Sequence, residues 1–341
     1  MTMSKPTVVD VARAAGVSAP TVSKVLNGRS DVADRTRARV EQALDRLGYQ
    51  ARRPAPPAEG TGLIDLVFHR IGSPWSMELI AGVERAAAEA RLSVIVTELD
   101  GRHRPSDAWV DATLARPPRG VLLVASHLAA DQRERLQRRS IPVVVIDSDG
   151  DIGENEVTVG SDNWRGGLLA TRHLIALGHT RIAAVGGPDD LLCSRARLDG
   201  YRSAHDEAGL VIDPRLIRSG DFYIEAGHRA GRDLLMLPER ERPTAIFAGS
   251  DMQALGVLRA AQELGVSVPG DVSVVGYDDL PVVEWVHPAL TSIDPKLATQ
   301  GAVAARLLVD LAEGRTPPAS GINLTAELVV RASTAPPRTA A

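Results

Sequence analysis

Apolar residues recur at helical spacing near the start of the chain, then give way to short apolar runs separated by amphipathic stretches. Val8, Val11, Ala12 and Ala15 fall at i, i+3, i+4 and i+7, so a short helix there has one apolar face. Thr7 is placed to cap it and Gly16 to stop it. Ser18 opens a second helix that tolerates Pro20 in its first turn and turns Val22, Val25 and Leu26 inward. A third carries Val40, Ala43, Leu44 and Leu47 and ends at Gly48. Residues 51–61, ARRPAPPAEGT, hold three prolines and no periodicity, which predicts a linker.

From Gly62 the pattern alternates between strand and helix. Apolar runs occur at Leu63–Phe68, Val94–Thr97, Val121–Ala125, Val143–Asp147, Ile182–Val185, Ala245–Ala248 and Val272–Gly276. Amphipathic stretches separate them, among them Ser76–Ala90, Asn163–Leu177, Arg195–Ala208 and Asp251–Leu264. Such alternation predicts parallel sheets covered by helices on both faces. The stretch is too long for one sheet and its core. The expectation is an all-α head over 1–50, a hinge over 51–61 and an α/β body over 62–335, followed by a tail over 336–341. The body is expected as two doubly wound lobes, one from 62–158 and 292–322, the other from 159–291 and 323–335.

Composition adds little to this, but the placement of charge adds more. Of 341 residues 44% are hydrophobic and 24% charged, as in ordinary globular proteins, and only 3% are aromatic, so an aromatic in a cleft carries weight. Cys193 is the sole cysteine, which excludes an intrachain disulfide and fits a cytoplasmic location. Met1–Pro6 lacks an apolar core, and no segment approaches about 18 uninterrupted apolar residues, so neither an export signal nor a membrane span is expected. The net charge is −4, yet residues 1–53 hold ten Lys and Arg against five Asp and Glu. A basic head on an acidic body suggests that the head alone meets phosphate.

Two helices joined by a glycine turn suit a helix-turn-helix, whose second helix enters the major groove. Its outward residues are Ala19, Pro20, Thr21, Ser23, Lys24 and Asn27. Hydroxyls, an amide and a helix N-terminus suit phosphate oxygens. Lys24 can reach guanine acceptors, and Ala19 or Pro20 a thymine methyl. A three-helix fragment with solvated polar faces has the same spacing.

The residues themselves decide further. Thr7-Val8-Val9-Asp10-Val11-Ala12, Gly16-Val17-Ser18, Thr21-Val22-Ser23-Lys24-Val25-Leu26-Asn27 and Leu47-Gly48-Tyr49 resemble the DNA-binding head of the LacI/GalR family. Leu177-Gly178-His179, Arg181-Ile182, Arg197, Gly200-Tyr201, the run Asp271–Asp279, Pro288 and Leu290-Thr291 resemble that family's effector domain, in the expected order. The resemblance implies a homodimeric, ligand-responsive regulator, with one head on each half of a near-palindromic double-stranded operator. It implies a body like a periplasmic binding protein for sugars. It makes Ala19, Pro20 and Lys24 base readers. Thr7, Ser18, Thr21, Ser23 and Asn27 become phosphate contacts, with Tyr49 beside them.

The hinge departs from the family. Where the family carries a short helix with a leucine that wedges into the minor groove, this chain has Ala58, and Pro54, Pro56 and Pro57 interrupt the helix. Arg52 and Arg53 either enter a narrow minor groove or touch phosphates, and a plain flexible tether fits equally. The family's tetrameric member adds a leucine-heptad tail, unlike Pro336–Ala341, so a dimer is expected.

In open α/β sheets ligands sit beyond the carboxyl ends of the strands. Ser126-His127, Asp147, Gly186-Gly187, Ser250-Asp251 and Asp278-Asp279 stand there. A single such Asp is usually a cap or turn residue, whereas several at corresponding ends suggest a polar pocket. Matched to the family, Arg197 and Asp278 are the leading effector contacts, with Asp147 and Ser250 beside them. Phe222 and Trp75 stand where an aromatic can cover a sugar face, or simply pack. Asp162 either contacts the effector or caps the following helix, and Trp164 and Trp285 are weaker candidates.

No catalytic constellation emerges. Val185-Gly186-Gly187-Pro188 lacks the spacing of a nucleotide-binding loop. Eight histidines are scattered without metal-ligand spacing, Ser194 lacks a nucleophile elbow, and His179 is expected to support a helix-to-strand turn. No cofactor or metal is expected. A transporter's solute-binding protein would share the body but has no use for residues 1–50; a sugar-processing enzyme would need an acid and base paired in the cleft.

Overall fold

A computed structural model describes residues 7–26, 32–47, 62–99, 104–148, 156–317 and 319–338. The head consists of α1 (Val8–Ala15), α2 (Ala19–Leu26) and α3 (Asp34–Leu47). Thr7 and Asp10 form a reciprocal capping box on α1. Gly16 ends the helix at φ 62°, the left-handed conformation a tight turn into α2 requires. Val11, Ala12, Ala15, Val22, Val25, Val32, Val40 and Ala43 make the small core. Arg39 on α3 donates to the Ala15 carbonyl at 2.6 Å and so ties α3 to the turn.

The first lobe is a six-stranded, fully parallel sheet in the order β11-β5-β4-β3-β1-β2. Its strands are β1 (Gly62–Phe68), β2 (Leu92–Glu98), β3 (Gly120–Val124), β4 (Val143–Ile146), β5 (Val157–Ser161) and β11 (Gly321–Leu324). Ile64, Leu66 and Leu122 point to the face covered by α4 (Pro74–Glu89) and α11 (Leu297–Ala312). Val67, Val121 and Leu123 alternate to the face covered by α5 (Asp107–Ala115) and α6 (Ala130–Arg138). Because both faces are buried, these strands read as continuous apolar runs. Burying each of these Leu or Ile side chains stabilises the lobe by about 1.5–3 kcal/mol.

The second lobe has the order β12-β10-β9-β8-β6-β7, parallel except for the β10–β12 pair. Its strands are β6 (Ile182–Gly186), β7 (Ile217–Ser219), β8 (Ala245–Ala248), β9 (Ser273–Tyr277), β10 (Thr291–Asp294) and β12 (Glu327–Val329). Its helices are α7 (Asn163–Ala176), α8 (Leu192–Glu207), α9 (Ile224–Leu235) and α10 (Asp251–Glu263). The chain passes between lobes after β5, between β10 and α11, and between β11 and β12. The sequence boundaries at 158, 291 and 322 fall inside β5, β10 and β11, because a strand stays with its sheet and the chain changes lobe only past a strand end.

At the second crossing Lys296 adopts φ 65°. Its Nζ lies 2.7 Å from Asp294 and 2.6 Å from Glu327, joining the second and third crossings. His179, read as a turn support, bonds Thr244, Ser273 and the Ala335 carbonyl at 2.9–3.1 Å, which also pins the end of the described chain to this lobe.

Candidate effector cleft and DNA-reading head

Helix α2 holds Pro20, Ser23 and Lys24 on its exposed side. Ser18 and Thr21 are partly engaged: their hydroxyls share a hydrogen bond of 2.8 Å, and Ser18 Oγ accepts from the Thr21 N–H. The Thr7 hydroxyl donates to Asp10 at 2.6 Å, so its first role is to cap α1. Ala19 differs from its reading as an outward residue, for it is half-buried and packs against the head core. Asn27, Tyr49, Arg52 and Arg53, like the whole proline-rich hinge with Ala58, lie outside the described residues.

In the body, the carboxyl ends of both sheets bring together residues from separate elements. Arg197, on α8, is 5% exposed. It is held there because α8 packs closely on α7: a Cβ on Gly167 would lie 2.0 Å from the Arg197 carbonyl oxygen, and one on Gly200 2.1 Å from that of Trp164. The Arg197 Nε donates to Asn163 Oδ1 at 2.8 Å and its Nη1 to the Gly249 carbonyl at 2.5 Å. The guanidinium lies over the Tyr277 ring, 3.6 Å from its centroid, and 5.4 Å from that of Phe222. Burial opposes its charge, but Tyr277, Asp278, Cys193 and Asp147 outweigh that, and its pKa rises.

Asp278 follows β9 at φ 111°, a backbone conformation non-glycine residues rarely hold. Its Oδ1 is 3.7 Å from Arg197 Nη1 and, though buried, accepts no hydrogen bond. Burial pushes the Asp278 carboxyl up to about 7, with Arg197 opposing and Asp147 adding to the shift. Asp147 stands across the cleft at the end of β4, half-buried, with φ 47°. Burial raises its pKa, while Arg197 and a backbone hydrogen bond from Ser161 hold it down.

A cavity of 260 Å³ opens beside this group. Asp147, Ser161, Asp162, Asn163, Trp164, Cys193 and Asn323 are among its lining residues. Burial raises the Cys193 thiol to about 11, so it presents a neutral S–H. Asp162 lines the cavity and also caps α7, accepting from the Arg165 N–H at 2.9 Å.

The other expected contacts fall differently. The Phe222 ring covers Gly187, where a Cβ would come within 2.1 Å of it. Ser250 points inward: it donates to the Phe222 carbonyl at 2.9 Å and caps α10, so it holds Phe222 in place. Asp251 is also interior, accepting from Ser292 Oγ at 2.5 Å and the Leu280 N–H at 2.8 Å. Trp75 sits edge-on to Phe68 at 6.4 Å and packs against the cores of both lobes. Trp285 is 87% exposed and lies away from the cavity lining.

Sequence reasoning missed Asn163, Ser161, Cys193 and Tyr277 as site residues. Their signal was faint: β5 alternates as Val157-Thr158-Val159-Gly160-Ser161 and does not form an apolar run.

The comparisons with known proteins bear on the whole chain. The sequence profile of bacterial regulatory proteins of the lacI family matches residues 7–51, and that of the periplasmic binding protein-like domain matches residues 171–334. The ribose operon repressor of Escherichia coli (strain K12) is 35% identical over 96% of this chain and 99% of its own length. The chain belongs to the LacI family of bacterial transcription regulators.

Solved structures agree with that placement. The complex of the transcriptional regulator CelR with cellobiose is 35% identical, with a TM-score of 0.71 over 96% of this chain and 99% of the other. The Lac repressor dimer bound to operator and an anti-inducer is 28% identical, with a TM-score of 0.69 over 97% and 100%. This LacI-family regulator therefore has a DNA-binding helix-turn-helix head and a periplasmic-binding-protein-like body of two α/β lobes. Among the described residues no helix is long and apolar enough to cross a membrane.

Proposed function

We propose that this LacI-family regulator is a cytoplasmic repressor that binds a near-palindromic operator as a homodimer and changes its affinity when a sugar or sugar derivative enters the cleft between the lobes. The observation that carries this is the convergence of Asp147 from one lobe with Arg197 and Asp278 from the other, beside a cavity at the strand ends. Carboxylates and a guanidinium suit neighbouring hydroxyls, and Phe222 supplies an apolar wall. The similar regulators named for ribose and crystallised with cellobiose support the sugar class.

In this reading Pro20 and Lys24 read bases, with Ala19 at the edge of the contact, and Ser18, Thr21 and Ser23 meet phosphates. Thr7 serves the backbone contact through the helix end it caps. The effector set is Arg197, Asp278, Asp147 and Phe222, with Ser250 and Trp75 supporting. Binding shifts the DNA equilibrium only if the ligand prefers one arrangement of the lobes, which contacts from both lobes provide. The sugar is held and not turned over.

The experiment is operator binding by the full-length protein, titrated with ribose, cellobiose and related sugars. The reading holds if one sugar shifts operator affinity and is recovered unchanged. It fails if no sugar does so, or if genome-wide binding finds no enriched palindrome.

A further inference from the structure

The cavity beside Arg197 carries a charge pattern that narrows its ligand. Asp147 and Asp162 line it, and among the described residues no Lys or Arg does. Arg197 is the cation next to it, and both guanidinium edges already have a nitrogen engaged: Nε by Asn163 and Nη1 by Gly249, with Asp278 alongside. A carboxylate or phosphate is gripped best by two parallel N–H groups on one edge, and on Arg197 one nitrogen of each such pair already bonds the protein. Arg70, two residues past β1, lies over the Tyr223 ring of the other lobe at 5.6 Å and is not among the residues that line the cavity.

One feature favours an acceptor. Leu192 and Cys193, in the first turn of α8, line the cavity, and Leu191 gives that helix no side-chain cap. A helix N-terminus is worth about half a positive charge. That suits a hydroxyl or ring oxygen but does not offset two lining carboxylates. A buried polar atom here also lacks a partner: Asp278 Oδ1 accepts no hydrogen bond, and a sugar hydroxyl, which donates and accepts, satisfies it.

We infer that the cleft selects an uncharged, hydroxyl-rich sugar and rejects its phosphorylated and acidic counterparts, because Asp147 and Asp162 line the cavity while the forks of Arg197 are engaged by Asn163 and Gly249. This rests on the sugar-effector reading and sharpens it.

The test is calorimetric titration of the full-length protein with matched pairs: ribose with ribose 5-phosphate, glucose with glucose 6-phosphate, and glucose with glucuronate. The expected result is that the neutral member of at least one pair binds and its anionic partner is weaker on the order of a hundredfold, since like charges brought together carry a heavy penalty. In Asp147→Asn combined with Asp162→Asn, the ratio within the pair should narrow about tenfold or more; an unchanged ratio overturns the assignment to these carboxylates. An anionic sugar that binds the parent protein as tightly as its neutral partner overturns the inference while leaving the sugar reading intact. Binding of neither member of any pair overturns the sugar reading and this inference with it.

Discussion

Arg197 Nη1 lies 3.7 Å from Asp278 Oδ1, close enough for the charges to pair and too far for a hydrogen bond. Both side chains are almost wholly buried, so the pair is weakly screened. Arg197 is held by Asn163, Gly249 and the Tyr277 face, whereas one oxygen of Asp278 stays available. The protein fixes the cation and leaves one carboxylate oxygen without a partner.

Arg197→Ala should abolish effector binding, since Asp278 loses its countercharge and Phe222 and Tyr277 lose the group between them. Removing one member of a buried pair costs about 3–5 kcal/mol of stability. Arg197→Lys, which keeps the charge without the planar fork, should fall between parent and Ala. Chemical denaturation and calorimetry read the two effects, and operator binding by the ligand-free protein should persist. A variant that binds effector like the parent contradicts this placement.

Effector affinity should depend on pH through Asp278. Burial raises its pKa from 3.8 to about 7 in the folded protein, so between those values the folded chain holds a proton that the unfolded chain has released. Its contribution to stability is therefore full below about pH 4 and is lost as the pH rises through about 7. A hydroxyl donating into the carboxylate favours the ionised form, so affinity should tighten as the pH rises through about 7, with proton release on binding below it. Calorimetry in buffers of different ionisation enthalpy checks this, and Asp278→Asn should flatten both profiles.

Gly187→Ala should displace Phe222, because the added Cβ would sit 2.1 Å from its Cζ. The ring is half-buried and can swing away, so stability should change little. Losing an aromatic wall should weaken a sugar up to about tenfold. Unaltered affinity would mean that Phe222 packs without touching the ligand.

Lys24→Ala should weaken operator binding by about 1–3 kcal/mol, the size of one good base contact. Lys24 stands exposed on α2 beside Pro20 and Ser23. Fluorescence anisotropy on operator and scrambled duplex at matched salt separates the cases. A base reader loses mainly on the operator, whereas a phosphate contact loses equally on both.

Much of the body was legible, because strands buried on both faces must be apolar at every position. Leu63–Phe68 and Val121–Ala125 were read almost to the residue. The edge strand β11 and its neighbour β5 were not, since Thr158, Gly160 and Asn323 break their runs, and with them went the lobe crossings. In the site, Arg197 and Asp278 were marked by motif and by position at a strand end. Asn163 and Tyr277 were not marked, because they meet Arg197 from positions 34 and 80 residues away along the chain, with no local pattern. Ser250 shows the converse: its place at a strand end was read correctly, but its hydroxyl turns inward to Phe222.

By itself the sequence determined the three-helix head, the alternation of strand and helix and the family, because helical periodicity, burial on two faces and turn chemistry are local properties of neighbouring residues. Only the tertiary structure decided that Arg197 Nε and Nη1 are bonded to the protein, that an oxygen of Asp278 is unpartnered, and that among the described residues Asp147 and Asp162 line the cavity with no Lys or Arg lining it beside them. Those depend on distance through space and on desolvation, and both are set where two lobes meet, by residues that the chain keeps far apart.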